Sequence, residues 1–187
     1  MSAHLPPIHH AADDSPAALY LSHHLPDAAS TEAFGAALAP AVTCEEACKQ
    51  ARGLVIWLSG DLGAGKTTVT RGLLRALGHS GNVKSPTYTL LEPYTVSRIS
   101  LYHFDFYRFN HPDEFLDAGL DEYFADGGIC LVEWADKALP HVPQSDLQLS
   151  LAVEGSGRRV ELRVFSERGR ACLTHTSLKT DASTRPT

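Results

Sequence analysis

The stretch that most constrains this chain is GDLGAGKTT, Gly60 to Thr68, entered directly from the apolar run LVIWLS, Leu54 to Ser59. A continuously apolar run of that length is the pattern of a strand covered on both faces, as in a parallel sheet. Gly60 and Gly65 bracket Asp61, Leu62, Gly63 and Ala64 and precede Lys66 and Thr67, which is the G-x-x-x-x-G-K-[ST] pattern. Glycines let the backbone curl so that successive N–H groups point into one concavity. That concavity, with the N-terminus of the following helix, binds a phosphate. Lys66 is placed to reach β- and γ-phosphates, and the Thr67 hydroxyl is the natural Mg²⁺ ligand. Asp61 to Ala64 and Thr68 complete the expected nucleotide-binding segment. Four constrained positions match by chance in roughly 1 in 30,000 windows, so the pattern carries weight in one short chain. The residues after it agree: KTTVTRGLLRALG sets Val69, Leu73 and Leu77 on one helical face and closes with Gly78. Lys66 itself is expected to be open to solvent, with the core elsewhere.

The 187 residues suit one domain. A net charge of -6 speaks against free-standing nucleic-acid binding, which usually needs a basic face. Cys44, Cys48, Cys130 and Cys172 are expected to be isolated thiols in a reducing compartment rather than zinc ligands or disulfides. No apolar run approaches the roughly eighteen residues of a membrane span. The start, MSAHLPPIHHAADDSP, lacks an apolar core and a cleavage site, so the expected location is the cytoplasm.

Residues 1–17 are aperiodic and predict a disordered lead-in, 18–166 the folded domain, and 167–187 a flexible tail. LYLSHHL predicts an edge strand, and STEAFGAALAPAV a helix capped by Ser30 or Thr31. TCEEACKQARG predicts a further helix, with Thr43 and Glu46 as a capping box and Gly53 as its stop. VKSPTYTLLEPY predicts a loop broken by Pro86 and Pro93, RISLYHFDFYRF a strand, and HPDEFLDAGLDEYF one helix. GICLVEW predicts a short buried strand, and LQLSLAVEGSGRRVELRVF a hairpin.

A phosphate-binding loop needs an acidic group to hold Mg²⁺ or orient the attacking water, usually at a strand end. Asp105 and Glu133 both end strand-like segments. KSPTYTLLE, with hydroxyls at Ser85, Thr87 and Thr89, lies where a loop sensing the γ-phosphate would be.

Taken in order, GDLGAGKTT, VKSPTYTLLEPY, YHFDFYRF and VEWAD resemble the bacterial TsaE family, also called YjeE, small ATPases of tRNA threonylcarbamoyladenosine (t6A) synthesis. The resemblance runs from about Leu19 to Phe165. It implies an α/β, three-layer P-loop NTPase fold: a mostly parallel central sheet, flanking helices and an added antiparallel hairpin. It implies ATP and Mg²⁺, and action with TsaD and TsaB, so that tRNA is met only indirectly through the complex. Carried over by motif, Thr67 and Glu133 become Mg²⁺ ligands, Asp105 a candidate base and Thr87 the switch hydroxyl. Thr31 falls near the nucleotide. Arg159 is the expected nucleotide contact from the hairpin, with Arg158 its rival. Trp134 packs beside the site or meets a partner. TCEEACKQARG is longer than the family's usual link and loosens the placement of Thr31.

Two other functions compete. A small-molecule or nucleotide kinase usually closes an arginine-rich lid over its acceptor; here Arg71, Arg75, Arg98 and Arg108 are scattered. A nucleotide-gated adaptor with negligible turnover would use ATP only to fix a shape. A GTPase is disfavoured by the lack of an N/T-K-x-D motif.

Overall fold

The computed structural model describes residues 18–48 and 52–178. The proposed lead-in, residues 1–17, lies outside them, as do residues 179–187. Seven described strands form one sheet: β1 (Ala18–Leu25), β2 (Val55–Ser59), β3 (Leu91–Val96), β4 (Ile99–Asp105), β5 (Ile129–Glu133), β6 (Leu147–Glu154) and β7 (Gly157–Val164). Their order is β1-β7-β6-β2-β5-β4-β3. β6, β2, β5 and β4 run parallel; β7 pairs antiparallel with β6, β1 pairs antiparallel with β7, and β3 pairs antiparallel with β4. The centre is thus parallel, as expected, but it carries antiparallel pairings at both sides. The second hairpin, β3–β4, arises because residues 91–96 pair with β4 rather than staying a loop. Pro93 is tolerated there because β3 is an edge strand and one side of its ladder is not used.

Side chains alternate across a strand, so β2 feeds two cores. Ile56 and Leu58 join Leu131, Leu149 and Leu162 on one face. Val55 and Trp57 join Val132, Phe104 and Phe106 on the other. The first face is covered by α1 (Ala28–Ala37), α2 (Ala39–Thr43), α3 (Glu45–Cys48), α4 (Lys66–Ala76) and α7 (Glu167–Leu173), through residues such as Phe34, Val42, Ala47, Leu73 and Leu173. The second is covered by α5 (Glu114–Asp117) and α6 (Glu122–Ala125), through Phe115 and Phe124. Among the described residues no helix is long and apolar enough to cross a membrane.

Helix boundaries depart from the sequence reading at four places, one of them the division of STEAFGAALAPAV into α1 and α2. Asp27, not Ser30 or Thr31, caps α1, accepting from the Ser30 N–H at 2.7 Å. Thr43 ends α2 instead of starting a helix, and its hydroxyl bonds back to Ala39 O at 3.0 Å, so there is no capping box. Pro40 explains the division: it suits the first turn of α2 and cannot continue α1. Likewise HPDEFLDAGLDEYF splits into α5 and α6 around Gly119, at φ 64°.

The expected flexible tail from 167 onward is overturned for its first part. Ser166 caps α7, accepting from Gly169 N at 3.0 Å while its hydroxyl donates to Asp146 Oδ1 at 2.7 Å. Asp146, itself buried, also accepts from Val55 N and from Arg52. This carboxylate ties the helix to the sheet, and Cys172 and Leu173 become fully buried.

α1 and α4 meet through glycine. A Cβ on Gly72 would lie 1.8 Å from Glu32 O, and one on Gly35 would lie 2.1 Å from Val69 O. Gly72→Ala gains about 1 kcal/mol of helix propensity. Against a backbone that cannot step aside, overpacking costs about 3 kcal/mol or more. We expect a net loss of about 2 kcal/mol, read as a lower urea midpoint; an unchanged midpoint would refute the close packing of these helices.

Candidate functional site

The glycine loop leaves the carboxyl end of β2 and enters α4. That is where open α/β sheets place ligands. Gly60, Gly63 and Gly65 have φ of 135°, 79° and 110°, all in the region that favours glycine. Gly60 has a second constraint: a Cβ there would sit 2.3 Å from Leu151 O.

Lys66, contrary to the expectation of an open side chain, is only 5% exposed. Its Nζ donates to Gly60 O at 2.7 Å and Asp61 O at 3.0 Å, and lies 3.7 Å from Glu133 Oε2. It also lies 5.0 Å from the Trp134 ring centroid, over the ring. The lysine is therefore held at the loop by groups it can exchange for an anion.

Asp105 and Glu133 are direct neighbours across the β4–β5 pair, and both are buried. Glu133 Oε1 bonds His103 Nε2 at 2.9 Å and lies 3.5 Å from Thr67 Oγ1. Asp105 Oδ2 accepts from Thr87 Oγ1 at 2.6 Å and Ser85 Oγ at 3.0 Å; Oδ1 accepts from Tyr107 N at 3.0 Å. The S-P-T segment is thus tethered to the carboxylate by two hydroxyls. The result is a cleft of about 270 Å³, lined by Leu62, Gly63, Gly65, Lys66, Thr67, Thr68, Ser85, Thr87, Asp105, Tyr107, Glu133 and Trp134. Trp134 holds the left-handed conformation at φ 58°, and its ring meets Tyr107 at 5.2 Å.

The structure brings most of the sequence-derived residues to this cleft. Gly60, Asp61 and Ala64 belong to the loop but present carbonyls to Lys66 or Arg158. Thr31 lies beneath the loop: its methyl is 3.4 Å from where a Gly65 Cβ would be, and its hydroxyl donates to Asp27 O within its own helix.

Arg159 is not at the loop. It pairs with Glu154 at 2.6 Å and approaches Ser22 on β1. Arg158 is the one of the two that reaches the loop, donating from Nε to Ala64 O at 3.0 Å and contacting Gly63 O at 3.4 Å. Adjacent strand residues face opposite sides, so only one of the two can reach the loop. Holding these carbonyls outward leaves the loop's N–H groups to face the cleft. Arg158→Ala should weaken nucleotide binding about tenfold, the worth of one hydrogen bond from a charged group. Arg159→Ala removes an exposed ion pair worth at most about 1 kcal/mol and should leave binding unchanged. Isothermal titration of both variants checks this; equal effects would contradict it.

His103 went unassigned in the sequence reading although it stands in the quoted segment YHFDFYRF. The signal was the H-x-D spacing, which puts His103 and Asp105 on one face of β4. Ser85 also earns a place, as the second hydroxyl on Asp105.

A buried strand, a glycine loop and an α-helix at the carboxyl edge of a parallel sheet define an α/β protein of the P-loop class. Residues 25–160 match the model of the threonylcarbamoyl adenosine biosynthesis protein TsaE. A tRNA threonylcarbamoyladenosine biosynthesis protein TsaE from Haemophilus influenzae is 40% identical over 142 residues, covering 76% of this chain and 88% of that one. The Bacillus subtilis protein of the same description is 47% identical over 107 residues, 57% of this chain and 66% of that one. The crystal structure of Bacillus subtilis YdiB superposes with a TM-score of 0.66 at 30% identity, covering 86% of this chain and 95% of that one. The chain belongs to the TsaE family.

Proposed function

We propose that this protein is an accessory of tRNA t6A synthesis in the cytoplasm that binds ATP with Mg²⁺ and hydrolyses it, acting with TsaD and TsaB. The observation that carries this reading is the convergence of Lys66, Thr67, Glu133 and Asp105 on one cleft, with Ser85 and Thr87 bonded to Asp105.

The donor set fits Mg²⁺. Neighbouring oxygens on an octahedral ion at 2.0–2.1 Å lie about 2.9 Å apart. Thr67 Oγ1 and Glu133 Oε1 are 3.5 Å apart, so a small approach suffices. When bound, the ion supplies charge that neutralises phosphate oxygens. His103 holds the Glu133 carboxylate in place from its other side. Lys66 exchanges the carbonyls of Gly60 and Asp61 for phosphate oxygens. Asp105 is placed to take a proton from the attacking water, giving ADP and phosphate. Its bonds to Ser85 and Thr87 join that role to the S-P-T segment, so the order of the segment follows the state of the cleft.

Leu62 and Tyr88, 75% and 83% exposed, are apolar surface beside the cleft that suits a protein partner better than water. This supports action on a complex over a closed small-molecule kinase. Glu133→Ala should weaken ATP binding in the presence of Mg²⁺ about tenfold while leaving Mg²⁺-free binding nearly unchanged. Equal losses in both titrations would make Glu133 a structural residue and remove it from the ion site.

A further inference from the structure

At the end of the sheet away from the glycine loop, α3 and α7 pack together. Val164, which leads toward α7, pairs with Leu147 at the start of β6, whereas the loop follows Ser59 at the far end of β2. Here Cys44 and Cys172, expected to be isolated thiols, are in contact: their Sγ atoms are 3.2 Å apart and both side chains are buried. His175, just past α7, sets Nε2 3.2 Å from Glu46 Oε2. One ligand atom each of Cys44, Glu46 and His175 lies within 4.8 Å of the others. Glu46 Oε2 is withdrawn from solvent and faces the His175 imidazole and the Cys44 thiol.

We propose that Cys44, Cys172, His175 and Glu46 form a binding site for a thiophilic divalent cation, zinc by the chemistry of the donors. Two sulfurs, one imidazole nitrogen and one carboxylate oxygen make the four ligands of a closed tetrahedral site. Bond lengths of about 2.3 Å to sulfur and 2.0–2.1 Å to nitrogen or oxygen require about 3.8 Å between sulfurs and about 3.3 Å between nitrogen and oxygen. The sulfur pair and the nitrogen–oxygen pair, each at 3.2 Å, need shifts of about half an ångström. Cys172 Sγ touches Cys44 but stands outside the 4.8 Å group of Cys44, Glu46 and His175, so its side chain must swing toward them to become the fourth ligand. A disulfide would account for the two sulfurs alone. It would leave His175 and Glu46 as an ion pair beside the sulfurs rather than as ligands.

The site joins segments distant in sequence, and α7 lies beyond residues 25–160, the part matched to the family. The cation would staple α7 onto the helical layer, adding to the tether from Asp146. Zinc binds thiolates, so it must displace the thiol protons to bind. Affinity should therefore fall as the pH is lowered.

The test is Co²⁺ and Zn²⁺ titration of the full chain under reductant. Cobalt reports sulfur ligation directly through a thiolate-to-metal charge-transfer band, which no Mg²⁺ site at the glycine loop would give. The expected result is such a band saturating at about one equivalent per chain, displaced by zinc. It should vanish in Cys44→Ser and in Cys172→Ser and persist in Cys130→Ala, whose thiol is buried in β5. His175→Ala keeps the buried thiols and, with its side chain 46% exposed, should fold normally while losing zinc affinity tenfold or more. Absence of the band from the reduced chain, a band that survives both cysteine variants, or a Cys44–Cys172 disulfide as the sole product would each overturn the proposal.

Discussion

Lys66→Ala is expected to weaken ATP binding between about 10- and 150-fold. The ammonium is the one side chain in the loop that can follow phosphate oxygens, and a hydrogen bond to a charged group is worth about 1.5–3 kcal/mol. The variant also has a cost in the free protein. Lys66 is buried against Glu133, so its removal strips that carboxylate of a cation 3.7 Å away. His103 still bonds Oε1, which limits the damage to roughly 1–3 kcal/mol. The fold should survive with a lower melting temperature. Isothermal titration and thermal unfolding separate the two effects. ATP binding at wild-type strength would remove the loop from the nucleotide site altogether.

Asp105→Asn is expected to keep ATP affinity and lower turnover by about 10²–10⁴, the usual worth of a positioned proton acceptor. Asparagine retains an oxygen for Ser85 and Thr87, so the tether persists in part while the basicity is gone. Single-turnover measurements at saturating ATP isolate the chemical step from binding. Normal turnover would transfer the role to Glu133, its neighbour across the strand pair. A collapse of ATP binding would make Asp105 a structural tether for the S-P-T segment rather than a base.

Much of this was legible in the sequence because periodicity and glycine report directly on backbone geometry. β2 and β5 announce themselves as apolar runs, buried on both faces. Lys66, Thr67, Asp105 and Glu133 stand at strand and helix ends, where sequence position alone fixes their side of the sheet. What escaped depended on contacts between distant segments. Arg158 and Arg159 are adjacent, and choosing between them requires the register of β7, where a shift of one residue reverses every side chain. α7 has few apolar residues and was read as tail; its position rests on Asp146, twenty residues before Ser166. The contact between Cys44 and Cys172 spans 128 residues and has no local signal at all. The burial of Lys66 was missed for the same reason, since it rests on Glu133 and Trp134 from β5 and the turn beyond.

The most direct measurement is steady-state ATP hydrolysis by the purified chain, alone and with the matching TsaD and TsaB. We expect slow turnover by the chain alone and strong stimulation by the pair, abolished by Asp105→Asn. Tight ATP binding with no hydrolysis in either condition would contradict the ATPase account and leave a nucleotide-gated adaptor in its place.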